Sequence, residues 1–200
     1  MSVAAVILAA GGSIRFGKPK QLAIFQDEPL VRRIVTAAKD AGCAPVLVVV
    51  GASAAEIAPA LAGLSVSIIE HPNWSNGLGS SIAVGVKHAT RITPDLDAAI
   101  LLACDQPFVN AAMLRQLIQM HRENKKPIVA SAYAKTLGVP ALFDRSCFGD
   151  LLQLTGDNGA KGIILARRND VTPFDFPAAA VDIDTTADYE KLREGSLDHV

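Results

Sequence analysis

The chain has 200 residues, half of them hydrophobic, with 19 basic and 20 acidic side chains and a formal net charge of −1. At this length a single domain, residues 1–200, buries a core without disulfides or a structural metal. The near-neutral balance, with no basic run, excludes broad attraction to nucleic acid or an anionic membrane, and no apolar stretch is long enough to span a bilayer. Cys43, Cys104 and Cys147 are isolated, and His71, His88, His121 and His199 lie far apart. The common zinc spacings and a full disulfide framework are thereby excluded. The apolar start "VAAVILAA" has no basic segment before it, so it is expected to be a buried strand rather than a signal peptide, in a reducing, cytoplasmic setting.

Taken in chain order, Val3–Ala9, Pro45–Gly51, Val66–Glu70, Ala98–Cys104 and Ile128–Ala132 read as strands. The first, second and fourth are continuously apolar, the pattern of parallel strands covered on both faces. Helical patterns fill 29–41, 53–62, 79–91 and 110–124. The last of these places Leu114, Leu117, Ile118 and His121 on one stripe behind Asn110 as N-cap. Beyond Ala132, "YAKTLGVPALF" reads as a strand pair or a loop crossing the front of the sheet. "GDNGAKGIILARR" reads as a turn and a short helix, and "AAAVDID" as a last strand leading into a helix at 186–193. This alternation indicates an open α/β sheet. Such sheets bind ligands at the carboxyl ends of their strands. That edge gathers 9–21, 71–81, 104–108 and 182–186, which hold most of the unusual chemistry in the chain.

"GGSIRFGKPK", residues 11–20, has the G-x-x-x-x-G-K spacing of a P-loop, but Pro19 stands where that loop needs a Mg²⁺-binding hydroxyl. Pro19 also biases Lys18 away from helical geometry, so no helix starts there. Gly11, Gly12 and Gly17 expose backbone amides, while Arg15 and Lys20 offer charges suited to phosphate oxygens. "LLACDQPF" ends an apolar strand in Asp105, either a Mg²⁺ ligand or a turn cap. Gln106 is a donor to a base or second substrate, or a plain turn residue. "VDIDTTADYE" sets Asp182 and Asp184 on one face of the expected strand, with Asp184 the better second metal ligand. Thr185 and Asp188 also form a capping-box pattern.

In "HPNWSNGLGSS", Gly77, Gly79, Ser80 and Ser81 could face a nucleobase or simply begin a helix. His71 and Trp74 read as structural. Asp157 in "GDNGAKG" suits a helix cap, and Lys161 suits a solvated charge. No G-x-G-x-x-G follows the first strand, which disfavours a nicotinamide oxidoreductase.

The stretch "LAAGGSIRFGKPKQL", Leu8 to Leu22, resembles the signature loop of nucleotidyltransferases that join a nucleoside monophosphate to a phosphorylated acceptor. With "GLGSS", "CDQPF", "GVPALF", "GDNGAKG" and "DIDTTADY", the chain resembles the molybdenum cofactor cytidylyltransferase branch from residue 3 to about 192. The resemblance implies a Rossmann-like α/β three-layer sandwich with a mostly parallel sheet. It implies CTP or another NTP as donor, Mg²⁺ or Mn²⁺ as cofactor, and a molybdopterin-type phosphorylated acceptor, with a molybdoenzyme or its chaperone as a further partner. Ala9, Ala10, Gly11, Gly12, Ser13, Arg15 and Lys20 would form the nucleotide loop. Gly77, Gly79, Ser80 and Ser81 would meet the base, and Asp105 and Asp184 the metal. Gln106, Val139, Asp157 and Lys161 would lie on the acceptor side. Val139 departs from the polar residue common between Gly and Pro in molybdopterin-handling members. Guanylyl transfer, another acceptor, and a non-catalytic cofactor carrier are the competing readings.

Overall fold

All of Val46–Val50 is buried, as is Val3–Ala9 apart from Leu8. Side chains alternate across a strand, so such runs need cover on both faces. The computed structural model, which describes residues 1–195, supplies that cover. In chain order it comprises β1 (Val3–Ala9), a ribbon of β2 (Ile24–Phe25) and β3 (Glu28–Pro29), α1 (Leu30–Asp40), β4 (Val46–Val50), α2 (Ala54–Ala60), β5 (Ser67–Glu70) and α3 (Leu78–Ile92). Then follow β6 (Ala98–Ala103), α4 (Ala111–Asn124), β7 (Ile128–Tyr133), β8 (Thr136–Asp144), α5 (Phe148–Leu152), α6 (Ala160–Ala166), β9 (Val171–Asp175) and α7 (Thr186–Arg193).

Seven strands form one sheet in the order β5-β4-β1-β6-β8-β7-β9. β1 pairs in parallel with β4 and β6, β4 with β5, and β7 with β9. β8 runs antiparallel to both of its neighbours. Val3, Ala5 and Ile7 of β1, with Val48 and Ile100, pack under α1, α2, α4 and α7. Val6, Leu47, Val49 and Leu101 pack under α3, α5 and α6. Two cores on opposite faces of one sheet make the expected three-layer α/β sandwich. Asn110 caps α4, its Oδ1 accepting from the Met113 amide at 3.0 Å.

After Ala132 the strand pair is the arrangement found. β7 and β8 form a hairpin whose turn residues Ala134 and Lys135 both have positive φ, 45° and 60°. The expected strand in "AAAVDID" is not formed. A tight turn spans Pro177–Ala180, and 181–184 follows without a ladder. Val181 and Ile183 are buried while Asp182 is exposed, so the strand-like alternation is real. The backbone partner is a loop instead of a strand: the Ile183 amide donates to the Asp105 carbonyl at 3.0 Å. The sheet edge is taken by β9, a strand that the sequence pattern did not announce because Pro173 interrupts it.

Candidate active site

The site is built from the loop after β1 upward. Pro19 begins a short tight turn, Lys20–Leu22, where a P-loop would begin a helix. Gln21 is buried and its Nε2 reaches back to the carbonyls of Ala9 (3.0 Å) and Gly11 (3.1 Å). Ser13 Oγ donates to Gln21 Oε1 at 3.3 Å and accepts from the Lys20 amide at 3.2 Å. The loop is thus braced from within, and the Ser13 hydroxyl is engaged in the brace. Phe16 is buried edge-on against Tyr189 of α7, with ring centres 5.8 Å apart, which pins the loop's far side. Ile14 and Arg15 are left exposed at its tip.

Lys20 Nζ lies 2.6 Å from Asp105 Oδ2 and 2.9 Å from Asp184 Oδ1. Arg15 reaches the other Asp184 oxygen at 2.7 Å. Three distant segments therefore meet at one charged point at the carboxyl edge of β1 and β6. Burial pulls the Lys20 ammonium down, but Asp105 and Asp184 outweigh it, and its pKa lies above the ordinary lysine value. The Lys20 hydrogen bond holds Asp184 below the usual carboxylate range, with Arg15 adding to the effect. Asp182, beside them, is pushed up by desolvation and then by the charges of Asp105 and Asp184.

Gln106 fixes this arrangement. It is buried, and its Nε2 donates to the carbonyls of Val139 and Ala179, each at 3.0 Å. One side chain so ties the end of β6 to β8 and to the segment that delivers Asp184. Its Oε1 has no hydrogen-bond partner among the described residues.

Beside the charged point lies a cleft of about 510 Å³ lined by β1, α3, β8 and the loop before α6. Gly77 enters α3 with φ 96°, and a Cβ there would strike the backbone of Gly156. The Gly79 amide donates to the Gly156 carbonyl at 2.9 Å. These glycines let the 155–159 loop close over the start of α3. Ser80 Oγ donates to the Gly77 carbonyl at 2.7 Å and sits 2.8 Å from His71 Nε2, so both polar groups serve the loop. Trp74 packs against the signature loop: its ring lies 3.2 Å from where a Gly12 Cβ would stand, and a Cβ on Gly51 would lie 2.6 Å from it. Tyr133, at the β7–β8 hairpin, places its hydroxyl over Gly138. Burial and then the nearby Asp182 and Asp105 push its pKa up.

Of the sequence-predicted residues, Ala10, Gly11, Lys20, Gly77, Ser81, Asp105, Val139, Asp157 and Lys161 line the cleft. Arg15 and Asp184 reach its charged end through Lys20 and each other. Ala9, Gly12, Ser13, Gly79, Ser80 and Gln106 support its walls from behind. Asp182 and Asp184 do not share a strand face, because 181–184 is not a strand. Gln21 and Tyr133 were missed. Gln21 could have been found from its place beside Lys20; Tyr133 carries no sequence signal apart from lying before a turn.

The chain matches the MobA-like NTP transferase domain over residues 5–171 and belongs to that family. Nicotine blue oxidoreductase of Paenarthrobacter nicotinovorans is 29% identical over 72% of this chain and 67% of that protein. A probable molybdenum cofactor guanylyltransferase of Bacillus cytotoxicus is 30% identical over 58% of this chain and 55% of that protein. Among solved structures, Rv0371c of Mycobacterium tuberculosis H37Rv is 29% identical, with a TM-score of 0.84 over 97% of this chain and 98% of that one. Its manganese complex covers 100% of both chains at 27% identity and a TM-score of 0.77.

Proposed function

We propose that this nucleotidyltransferase-family protein moves CMP from CTP to the phosphate of molybdopterin, or of a molybdopterin-type cofactor, with release of pyrophosphate. The observation that carries the reading is the convergence of Lys20, Asp105 and Asp184 at the head of the cleft. A protein that only carries a finished cofactor has no use for two acids and a lysine facing one point.

The two carboxylate oxygens face the same ammonium, so they also face a position where a hard divalent cation could sit. Among the described residues no group of three or more His, Cys, Asp or Glu forms a metal site. Mg²⁺ or Mn²⁺ would be held there by Asp105 and Asp184, with phosphate oxygens and water completing the shell. A cation bound there would supply charge neutralisation to the triphosphate.

The chain's own contribution is positioning. Gly11 and Gly77 line the cleft, and their backbone would come close to a nucleotide bound there. Lys20, released from the carboxylates, would follow the phosphates, and Arg15 would close over them from the loop tip. An acceptor phosphate monoester is largely ionised near neutral pH, its second pKa being about 6, so no general base is required. Its oxygen attacks the α-phosphorus, the bond to the β-phosphate oxygen breaks, and that oxygen leaves with pyrophosphate. Lys20 and Arg15 balance the charge that builds on the leaving group.

"GLGSS" and "CDQPF" support cytidylyl transfer, and the relative named a guanylyltransferase supports GTP as the second reading. All three cysteines are buried and unpaired, in keeping with a reducing, cytoplasmic setting. The test is Asp105→Asn. Asparagine caps a turn about as well as aspartate, but a neutral amide is a poor ligand for a hard cation. The variant is expected to keep its fold and lose pyrophosphate release, with Asp184→Asn following less severely. Near-normal release by Asp105→Asn at limiting Mg²⁺ refutes the metal assignment.

A further inference from the structure

The β7–β8 ladder changes register between Ala130 and Ser131: Ala130 pairs with Ala141, but Ser131 pairs with Gly138. Val139 and Pro140 are left without opposite residues, and β6 pairs with β8 only as far as Ala141. Such a bulge strips backbone carbonyls of their ladder partners, and here two buried side chains take over. Ser131 Oγ donates to the Pro140 carbonyl at 2.7 Å, and Gln106 Nε2 donates to the Val139 carbonyl. The same Nε2 donates to the Ala179 carbonyl. The amide stands this way round because, with its ends exchanged, Oε1 would face two carbonyl oxygens. That orientation leaves Oε1 buried without a partner among the described residues, which lowers stability. Among the described residues, the backbone of 177–184 makes two hydrogen bonds to distant parts of the chain. The Ala179 carbonyl accepts from Gln106, and the Ile183 amide donates to the Asp105 carbonyl. Asp184 follows at once, and Thr185 then caps α7.

We infer that Gln106 is a positioning residue for the divalent cation: it sets the separation of Asp105 and Asp184 without touching any ligand itself. This rests on the reading of those two acids as the metal-holding pair. Asp105 stands just past the end of β6, whereas Asp184 is delivered by a segment that no ladder holds. Gln106, next to the first acid, grips that segment just upstream of the second. Its other bond fastens the same amide to the bulge, so the clamp is anchored on β8. Both of its partners are acceptors, so the post needs two N–H bonds on one nitrogen, which glutamine has and glutamate lacks. An apolar side chain of the same shape would remove the buried, unpaired Oε1. It would also release 177–184, and the spacing of the two acids is what the amide maintains.

The test compares the full native chain with Gln106→Met, which nearly keeps the side-chain volume but removes both donated bonds. A second variant, Gln106→Asn, keeps an amide that is too short to reach both carbonyls. Ser131→Ala is the control: it takes the other side chain from the bulge and leaves 177–184 held. Mn²⁺ alone is the probe, and its binding is read from the electron paramagnetic resonance signal of the free ion. Gln106→Met is expected to bind Mn²⁺ about tenfold more weakly, and Gln106→Asn to be weakened by a smaller factor. In pyrophosphate release from CTP with molybdopterin, half-saturation by Mn²⁺ should shift by the same factor. The KM for CTP at excess Mn²⁺ should stay unchanged. Ser131→Ala is expected to keep the native Mn²⁺ affinity, whatever it loses in urea melts. Native Mn²⁺ affinity in the Gln106 variants overturns the inference and leaves the transfer reading standing. An equal loss in Ser131→Ala also overturns it, since the effect would then be one of general packing. So does a native chain that takes up no Mn²⁺. If the Gln106 effect is found but the native chain releases no pyrophosphate from any NTP with molybdopterin, the positioning role stands and the transfer reading falls.

Discussion

Replacing Lys20 with alanine removes the one ammonium that holds Asp105 and Asp184 together. Its side chain is 17% exposed, and that of Asp105 is 21% exposed, so water replaces it only in part. Two consequences follow, and they have different sizes. In the proposed transfer, loss of a preorganised charge aimed at the leaving phosphates would cost about 10²–10³ in kcat, or roughly 2.7–4 kcal/mol. In folding, Asp105, Asp184 and the neighbouring Asp182 are left facing each other, at a cost of about 1–2 kcal/mol once solvent enters. The folding cost has a pH signature. Asp184 is held low, so its share is present above the ordinary carboxylate value of about 4 and is lost as pH falls through its lowered pKa. Lys20 is held high, so its share is complete below the ordinary lysine value of about 10.4 and is lost only as pH rises through the raised one. The deficit of Lys20→Ala is therefore widest between those limits and narrows in acid. Urea melts at pH 7 and at pH 3, beside pyrophosphate release, measure both effects. Lys18, exposed 5.8 Å over the Phe16 ring, serves as control, and Lys18→Ala is expected to stay active. A dead Lys18 variant beside a fully active Lys20 variant refutes the assignment and returns the loop to a P-loop reading.

Two further outcomes follow from the same cluster. Asp182→Asn is expected to stabilise the protein at pH 7, since partial desolvation of its carboxyl and two like charges raise it although the residue is largely exposed. After discounting for its solvent exposure the gain is about 0.5 kcal/mol, or roughly 1–2 °C in Tm. It should vanish below the ordinary carboxylate range, where the native aspartate is already protonated in both states; an unchanged Tm at pH 7 removes the like-charge argument. Trp74, the single tryptophan of the chain, packs on Gly12 of the loop after β1, where the nucleotide is proposed to bind. A saturable change in its fluorescence with CTP is expected, lost in Lys20→Ala; an emission indifferent to every NTP contradicts the placement of the nucleotide.

The central strands were legible because β1, β4 and β6 are apolar on both faces, a pattern that few other structures need. Helix positions came from periodicity, and the boundaries of α3 and α4 shifted by one residue. The charged cluster was legible because Arg15 and Lys20 lie in the loop after β1 and Asp105 just past β6. What failed was the end of the chain. Val181 and Ile183 alternate with Asp182 as in a strand, but the Ile183 amide anchors on the Asp105 carbonyl and the preceding Ala179 carbonyl accepts from Gln106, each over 70 residues away. Gln106 was weighed as a ligand contact, and its clamp across β6, β8 and 177–180 depends on tertiary geometry that spacing does not encode. The same holds for Gly77, whose need for glycine comes from the backbone of Gly156 lying against it.

The most direct test of the account supplies CTP, GTP, ATP and UTP together at equal concentration, with molybdopterin, Mg²⁺ and the native chain, and identifies the products by mass. The account predicts a molybdopterin–CMP adduct as the main product, with CTP favoured over GTP by at least tenfold in kcat/KM, a transition-state discrimination of roughly 1.4 kcal/mol or more. Equal CMP and GMP adducts would remove the cytidylyl assignment, and no nucleotidyl adduct of any kind would contradict transfer to this acceptor.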